Sequence, residues 1–165
     1  MVSEVAFPRV AVIPIGGEAV RLKPLSATTS KAMVRFLNRP LLEFIILELA
    51  RQGALTFYLG VRGYYNYVSV YDYFREGYWI NTRYPYLKSS VRIRYMPLYE
   101  SVGNADAVRV VLEYYDVREP FITVMGDTLF STDLREAYKL HVERGADMTV
   151  VLMEVSDVRE FGVAK

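Results

Sequence analysis

The chain has no cysteine and a single histidine, His141. Without thiols there is no disulfide framework, no thiolate metal site and no cysteine nucleophile, and a lone histidine excludes a His-rich metal cluster. A metal, if used, must be held by oxygen. Neither sign of charge prevails. With 20 Lys+Arg against 19 Asp+Glu the net charge is +1, so no overall basic field points to nucleic acid and no acidic tail invites a cationic partner. Long apolar runs are missing as well. The opening residues MVSEVAFPRVAVIPIGG carry Glu4 and break at Pro14, which fits neither a signal peptide nor a membrane span. The expectations are a cytoplasmic address and no membrane or nucleic-acid partner. What remains is 165 residues, 52% hydrophobic and 24% charged, a globular composition of one-domain size.

Strand-like and helix-like segments alternate along the chain. Val10 to Ile15 (VAVIPI) is a β-branched apolar run that ends in Gly16-Gly17, as expected of a strand buried on both faces that feeds a loop. Glu18 to Arg39 lacks clean periodicity and reads as a long loop with room for one helical turn. Pro40 then opens LLEFIILELARQ, where Leu41, Phe44, Ile45 and Leu49 recur at helical spacing before Gly53 stops the helix. Further strands are expected at Leu55–Val61, Val91–Tyr95, Phe121–Met125 and Met148–Val155. Further helices are expected at Tyr67–Arg75, Ala105–Tyr115 and Leu134–Arg144, with an irregular aromatic excursion over Gly77–Ser90. This alternation implies right-handed crossovers and an α/β fold, a doubly wound, mostly parallel sheet with helices on both faces. Ligands of such sheets sit beyond the carboxyl ends of the strands, so the loops after VAVIPI and FITVM are the places to look.

Those loops carry the unusual residues. Gly16 and Gly17 let the backbone approach a ligand and turn its N–H groups toward it, while Arg21, Lys23 and Lys31 add positive charge suited to a polyphosphate. A solvated basic loop behind a plain Gly-Gly turn is the alternative. Neither the third glycine of the dinucleotide fingerprint nor the Gly-Lys-Ser/Thr of the Walker pattern is present. In VMGDTLF, Asp127 follows a strand and is suited to Mg2+, which takes oxygen ligands and shares them with substrate phosphates. Its alternative is a turn-capping carboxylate. In SVGNADAVRV, Gly103 would let a flat base approach a helix N-terminus, whereas the plainer reading has Asn104 as N-cap and Asp106 as a favourable first-turn charge. The tyrosines from Tyr64 to Tyr78, with Trp79, lack basic interleaving and read as core or subunit contact. His141 reads as a surface residue. Glu43 and Glu48 lie on a helix away from both loops, which gives a paired-acid hydrolase no support.

The string AVIPIGGEAVRLKPLSATTSKAMVRFLNRPLLEFIILELARQG, with SVGNADAV, VMGDTLF, LREAYKLHVERGADMTVVL and EVSDVREFGVA following in register, resembles the sugar-phosphate nucleotidylyltransferases, the nucleoside-diphosphate-sugar pyrophosphorylases. The resemblance covers nearly the whole chain. It implies a Rossmann-like nucleotidyltransferase fold, with residues 1–165 forming one nucleotide-binding domain. Because members continue past the FGVA strand into a segment with sugar-phosphate contacts and a second metal aspartate, it also implies a domain incomplete at its C-terminus. Gly16, Gly17 and Arg21 would hold the nucleotide phosphates, Lys31 would neutralise phosphate, Gly103 with Asn104 would meet the base, and Asp127 would bind Mg2+. Arg21, Lys31 and Asp127 would carry the catalysis. Three departures stand out. Glu18-Ala19-Val20 precede Arg21 where the family usually has x-Gly-Thr, Ser30 precedes Lys31 where it usually has Pro, and Met96 stands where many members read the base with a polar side chain.

The implied reaction joins a sugar-1-phosphate to a nucleoside triphosphate, giving a nucleoside-diphosphate-sugar and pyrophosphate. Its partners are those two small molecules, and a homo-oligomer is compatible with the Tyr-rich middle. A non-catalytic nucleotide or nucleotide-sugar sensor is the rival reading. A nicotinamide oxidoreductase of similar topology fails for lack of the third glycine and of an acid at the right distance after a second strand. Arg21→Ala is expected to slow turnover by about a hundredfold or more, the usual cost of removing one electrostatic contact of this kind. Turnover measured as pyrophosphate release and found unchanged would remove Arg21 from the mechanism.

Overall fold

A computed structural model of the chain describes residues 6–16, 30–99 and 103–155, so Gly17, Arg21 and Lys23 lie outside the described residues. The described part falls into two compact units, Ala6–Thr132 and the stretch from Asp133 onward.

The larger unit holds a parallel sheet of four strands, β1 (Val10–Ile15), β4 (Thr56–Arg62), β5 (Arg92–Leu98) and β6 (Phe121–Thr123). They lie in the order β5-β4-β1-β6. A two-residue pair, β2 (Arg35–Phe36) with β3 (Arg39–Pro40), forms a small antiparallel hairpin. Helix α1 (Leu41–Gln52) begins after Pro40 and ends at Gly53, as the sequence predicts. Helices α2 (Tyr64–Phe74), α3 (Tyr78–Arg83) and α4 (Asn104–Tyr114) follow in turn. The stretch from Gly77 to Ser90, expected to be irregular, thus contains a short helix.

Every residue of β1 is buried because it lies inside the sheet and is covered on both faces. Val10 and Val12 pack with Val111 of α4 on one face, joined by Tyr58, Met96 and Val108. Gly60 permits that approach, since a Cβ there would lie 3.2 Å from Val111 Cγ2 and 3.3 Å from Leu98 Cδ1. On the opposite face Tyr95 of β5 meets Tyr67 and Tyr71 of α2 edge-on. Side chains alternate along a strand, so Met96 and Tyr95 necessarily point to opposite faces. Helices therefore cover both faces, as a doubly wound sheet requires.

The last strand of this sheet is shorter than the sequence predicts. β6 pairs with β1 only from Val10↔Phe121 to Val12↔Thr123, and Phe121 is 37% exposed, so FITVM is a half-exposed edge rather than a buried strand. Pro14 supplies the reason. Residues 12 and 14 of a strand direct their backbone groups to the same side, and on the β6 side Pro14 has no N–H to donate. The ladder stops there. Only the Pro14 carbonyl still reaches across, accepting from Gly126 N at 3.2 Å.

Glu43 of α1, away from both loops, has a structural role. It is fully buried and accepts hydrogen bonds from Tyr73 Oη at 2.6 Å and from Tyr84 Oη, while Arg39 Nη1 donates to Tyr84 Oη at 3.1 Å. The cluster ties α1 to α2, to the end of α3 and to the hairpin.

In the smaller unit, α5 (Leu134–Glu143) is capped by Asp133, which accepts from Arg135 N at 3.0 Å. His141 Nδ1 lies 2.9 Å from Thr149 Oγ1. Met148–Val155, expected as a strand, forms none; Met148 is 79% and Met153 76% exposed. A strand needs a neighbour to satisfy its backbone groups, and this run pairs with no described strand. None of the described helices is long and apolar enough to cross a membrane.

Burial, and then the hydrogen bond to Glu43, push the Tyr84 hydroxyl from 10.0 up to about 12. The folded chain holds this proton more tightly than the unfolded one. Its contribution to stability is therefore whole below pH 10 and is lost as pH climbs toward 12. Tyr84→Phe is expected to destabilise the protein by about 1–3 kcal/mol, because a buried carboxylate loses a donor, and to flatten the alkaline decline. Urea denaturation at pH 8 and pH 11 checks both.

Candidate functional site

The order β5-β4-β1-β6 reverses direction at β1, because the chain builds outward through β4 and β5 and then crosses back to β6. The crevice between the carboxyl ends of β1 and β6 is thus the switch point of the sheet. A pocket opens there. It is lined by Pro14, Ile15 and Gly16 from the end of β1, by Ser30, Lys31 and Ala32, and by Met125, Gly126 and Asp127 beyond β6.

Each wall is held by local chemistry. Lys31 opens a 3-10 turn (Lys31–Met33) closed by Met33 N to Ser30 O at 2.9 Å and Val34 N to Lys31 O at 3.1 Å. Ala32 and Met33 are buried and seat that turn against α1. Asp127 sits in a tight turn closed by Thr128 N to Met125 O at 3.2 Å. Its carboxylate does not cap that turn. Among the described residues it faces Lys31, with Nζ to Oδ2 at 3.9 Å. Both side chains are about one-third exposed, at 34% and 36%, so their mutual attraction is worth at most about 1 kcal/mol. Either is readily re-partnered by a ligand of opposite charge.

Gly126 sits so close to β1 that a Cβ would lie 2.9 Å from Ile15 Cγ1. Gly16 approaches β4 less tightly, where a Cβ would stand 3.3 Å from Arg62 Cβ. Arg62, at the carboxyl end of β4, therefore lays its aliphatic stem along Gly16.

Of the residues singled out in the sequence, the fold brings Gly16, Lys31 and Asp127 together, although they are far apart along the chain. Gly103 and Asn104 lie elsewhere on the same edge. They begin α4, the helix that follows β5, and neither lines this pocket. Gly103, not Asn104, is the N-cap; its φ is 125°, and among the described residues beyond its own neighbours no atom lies within 4 Å of where a Cβ would be. Met96 is half-buried against the Val10–Val12–Val111 cluster and belongs to the core.

The sequence marks Ser30 only as a departure from the family's usual Pro, and it gives no signal for Arg62. Arg62 becomes visible once the parallel register Ile15↔Val61 sets the β4 tip beside the β1 tip.

No group of three His, Cys, Asp or Glu that could hold a metal ion occurs among the described residues. A divalent cation here would have the Asp127 carboxylate, one-third exposed and facing the pocket, as its protein ligand. That donor set suits Mg2+, which keeps most of its waters and shares phosphate oxygens.

Residues 10–165 match the model of the nucleotidyl transferase family, and the chain belongs to that family. A UTP-glucose-1-phosphate uridylyltransferase of Synechocystis is 28% identical over 158 residues, covering 93% of this chain and 40% of that protein. A D-glycero-alpha-D-manno-heptose 1-phosphate guanylyltransferase of Aneurinibacillus thermoaerophilus is 26% identical over 152 residues, covering 92% of this chain and 60% of that protein. The chain thus spans about two-fifths to three-fifths of these relatives. Among solved structures, a UTP-bound UGPase of Acinetobacter baumannii superposes with a TM-score of 0.69 at 20% identity, covering 85% of this chain and 54% of that one. It shares the fold.

The close approach of Gly126 to β1 is directly testable. Gly126→Ala is expected to destabilise the protein by about 1–3 kcal/mol, because a Cβ 2.9 Å from Ile15 Cγ1 would force this buried side chain to shift. An unchanged urea midpoint would mean that the crevice is looser than described.

Proposed function

We propose that the chain carries the nucleotide-binding part of a nucleotidyl transfer from a nucleoside triphosphate to a sugar-1-phosphate, releasing pyrophosphate. The observation that carries this reading is the meeting of Lys31 and Asp127 beside Gly16 at the switch point of the sheet. A cation and a carboxylate at that distance, each weakly engaged, offer phosphate a counter-charge and a divalent cation a ligand. Family membership supports the same reaction class.

In the proposed step an oxygen of the sugar-1-phosphate attacks the α-phosphorus in line. The new O–P bond forms as the bond to the pyrophosphate oxygen breaks. No covalent enzyme intermediate is needed, and the demand on the protein is to align two anions that repel each other and to stabilise charge on the transferring group. Lys31 offsets phosphate charge. The N–H groups near Gly16 and Gly17, with Arg21, hold the triphosphate, and the base lies toward Gly103 and Asn104. Asp127 would hold Mg2+, which supplies charge neutralisation at the phosphates when bound. We place the protein in the cytoplasm, with a homo-oligomer compatible with its exposed tyrosines. A non-catalytic nucleotide-binding module is the second reading. It is favoured by Met96, apolar and packed into the core where many catalytic members carry a polar side chain.

One assay separates the two. Pyrophosphate release from a nucleoside triphosphate and a hexose-1-phosphate is expected with Mg2+ and not with EDTA. Lys31→Ala and Asp127→Asn are each expected to slow it by about a hundredfold or more. Triphosphate binding without pyrophosphate release, in the wild type, would leave only the binding module.

A further inference from the structure

Ser30 is one of three polar or charged residues buried among the described residues, at 5% exposure, and it lines the pocket between Lys31 and the strand tips. Its backbone, at φ −54° and ψ 146°, already occupies the region that proline prefers, so the local chain path does not depend on serine. Its hydroxyl does no structural work that the described residues reveal. It does not cap the 3-10 turn that follows, and no described group hydrogen-bonds it. Yet no fully buried side-chain N or O in the described residues lacks a partner. A hydroxyl that is neither bonded nor sealed must open onto space, and the space its residue lines is the pocket.

We infer that the Ser30 hydroxyl is a ligand-binding group that donates its O–H to a phosphate oxygen of the anion that Lys31 neutralises in this pocket. The inference rests on the phosphate-binding reading of the pocket given above. A hydroxyl can donate to an anionic oxygen without adding charge. Beside Lys31 it therefore contributes direction where the ammonium contributes a mobile point charge. Burial strengthens the contact, because water competes poorly for a donor set into the pocket wall.

Calorimetric titration with inorganic tripolyphosphate and Mg2+ tests this without assuming a base. Wild type, Ser30→Ala, Ser30→Pro and Ser30→Thr are compared at equal ionic strength. Ser30→Ala and Ser30→Pro are expected to bind about tenfold more weakly, the scale of one hydrogen bond to a charged acceptor, while Ser30→Thr keeps the hydroxyl and stays near wild type. Wild-type affinity in Ser30→Ala overturns the inference and leaves the pocket reading intact. Equal losses in Ser30→Ala and Ser30→Thr overturn it too, because packing and not the hydroxyl would then be at stake. Should Ser30→Pro misfold, the alanine and threonine variants decide alone. A wild type that binds neither tripolyphosphate nor a nucleoside triphosphate ends the phosphate reading itself, and this inference with it.

Discussion

The candidate site depends on a ladder that stops early. β1 and β6 pair for three residues and then separate because Pro14 has no N–H to offer on that side. Beyond this point one backbone bond, Gly126 N to the Pro14 carbonyl, joins the two segments, and Gly126 fits because it carries no side chain. The strands are thus close enough to share a pocket and too far apart to fill it with backbone hydrogen bonds. An uninterrupted ladder would carry residues 124 and 125 along β1 and close the crevice.

The surroundings of this crevice are rigid for ordinary reasons of packing. Val111 presses on Gly60 from one face of the sheet, and the stacked tyrosines of α2 cover Tyr95 on the other. The Glu43 cluster secures α1, against which the turn bearing Lys31 is seated. Within that frame the two charged groups of the pocket remain partly exposed and loosely paired. Tightly paired charges would have to be separated before a ligand could bind, and this pair would not resist strongly.

Family membership and geometry establish different things about the protein. The match over residues 10–165 establishes the family, and the solved structures, near 20% identity, establish the fold. Neither says which side chains touch a ligand. That question belongs to the pocket, where Ser30 joins the motif residues Gly16, Lys31 and Asp127, with Arg62 packed beside Gly16. Met96 illustrates the converse. Its position along the chain suggests a base reader, but β5 turns it into the core beneath α4.

Several features were legible in the residues alone. The apolar β-branched run of β1, the α1 periodicity bounded by Pro40 and Gly53, and the alternation of strand with helix depend on local propensity and on burial patterns of period two or 3.6. Gly16, Lys31 and Asp127 were legible as candidates because their chemistry is unusual in its local setting. Their proximity was not, since no local pattern encodes which strand tips become neighbours. The early end of β6, the absence of a strand over Met148–Val155 and the burial of Glu43 were hidden for the same reason. Pairing needs a partner and burial needs a cover, and both come from residues distant in the chain. Sequence determined the elements and the kinds of groups available; only the tertiary arrangement decided which of those groups face one another.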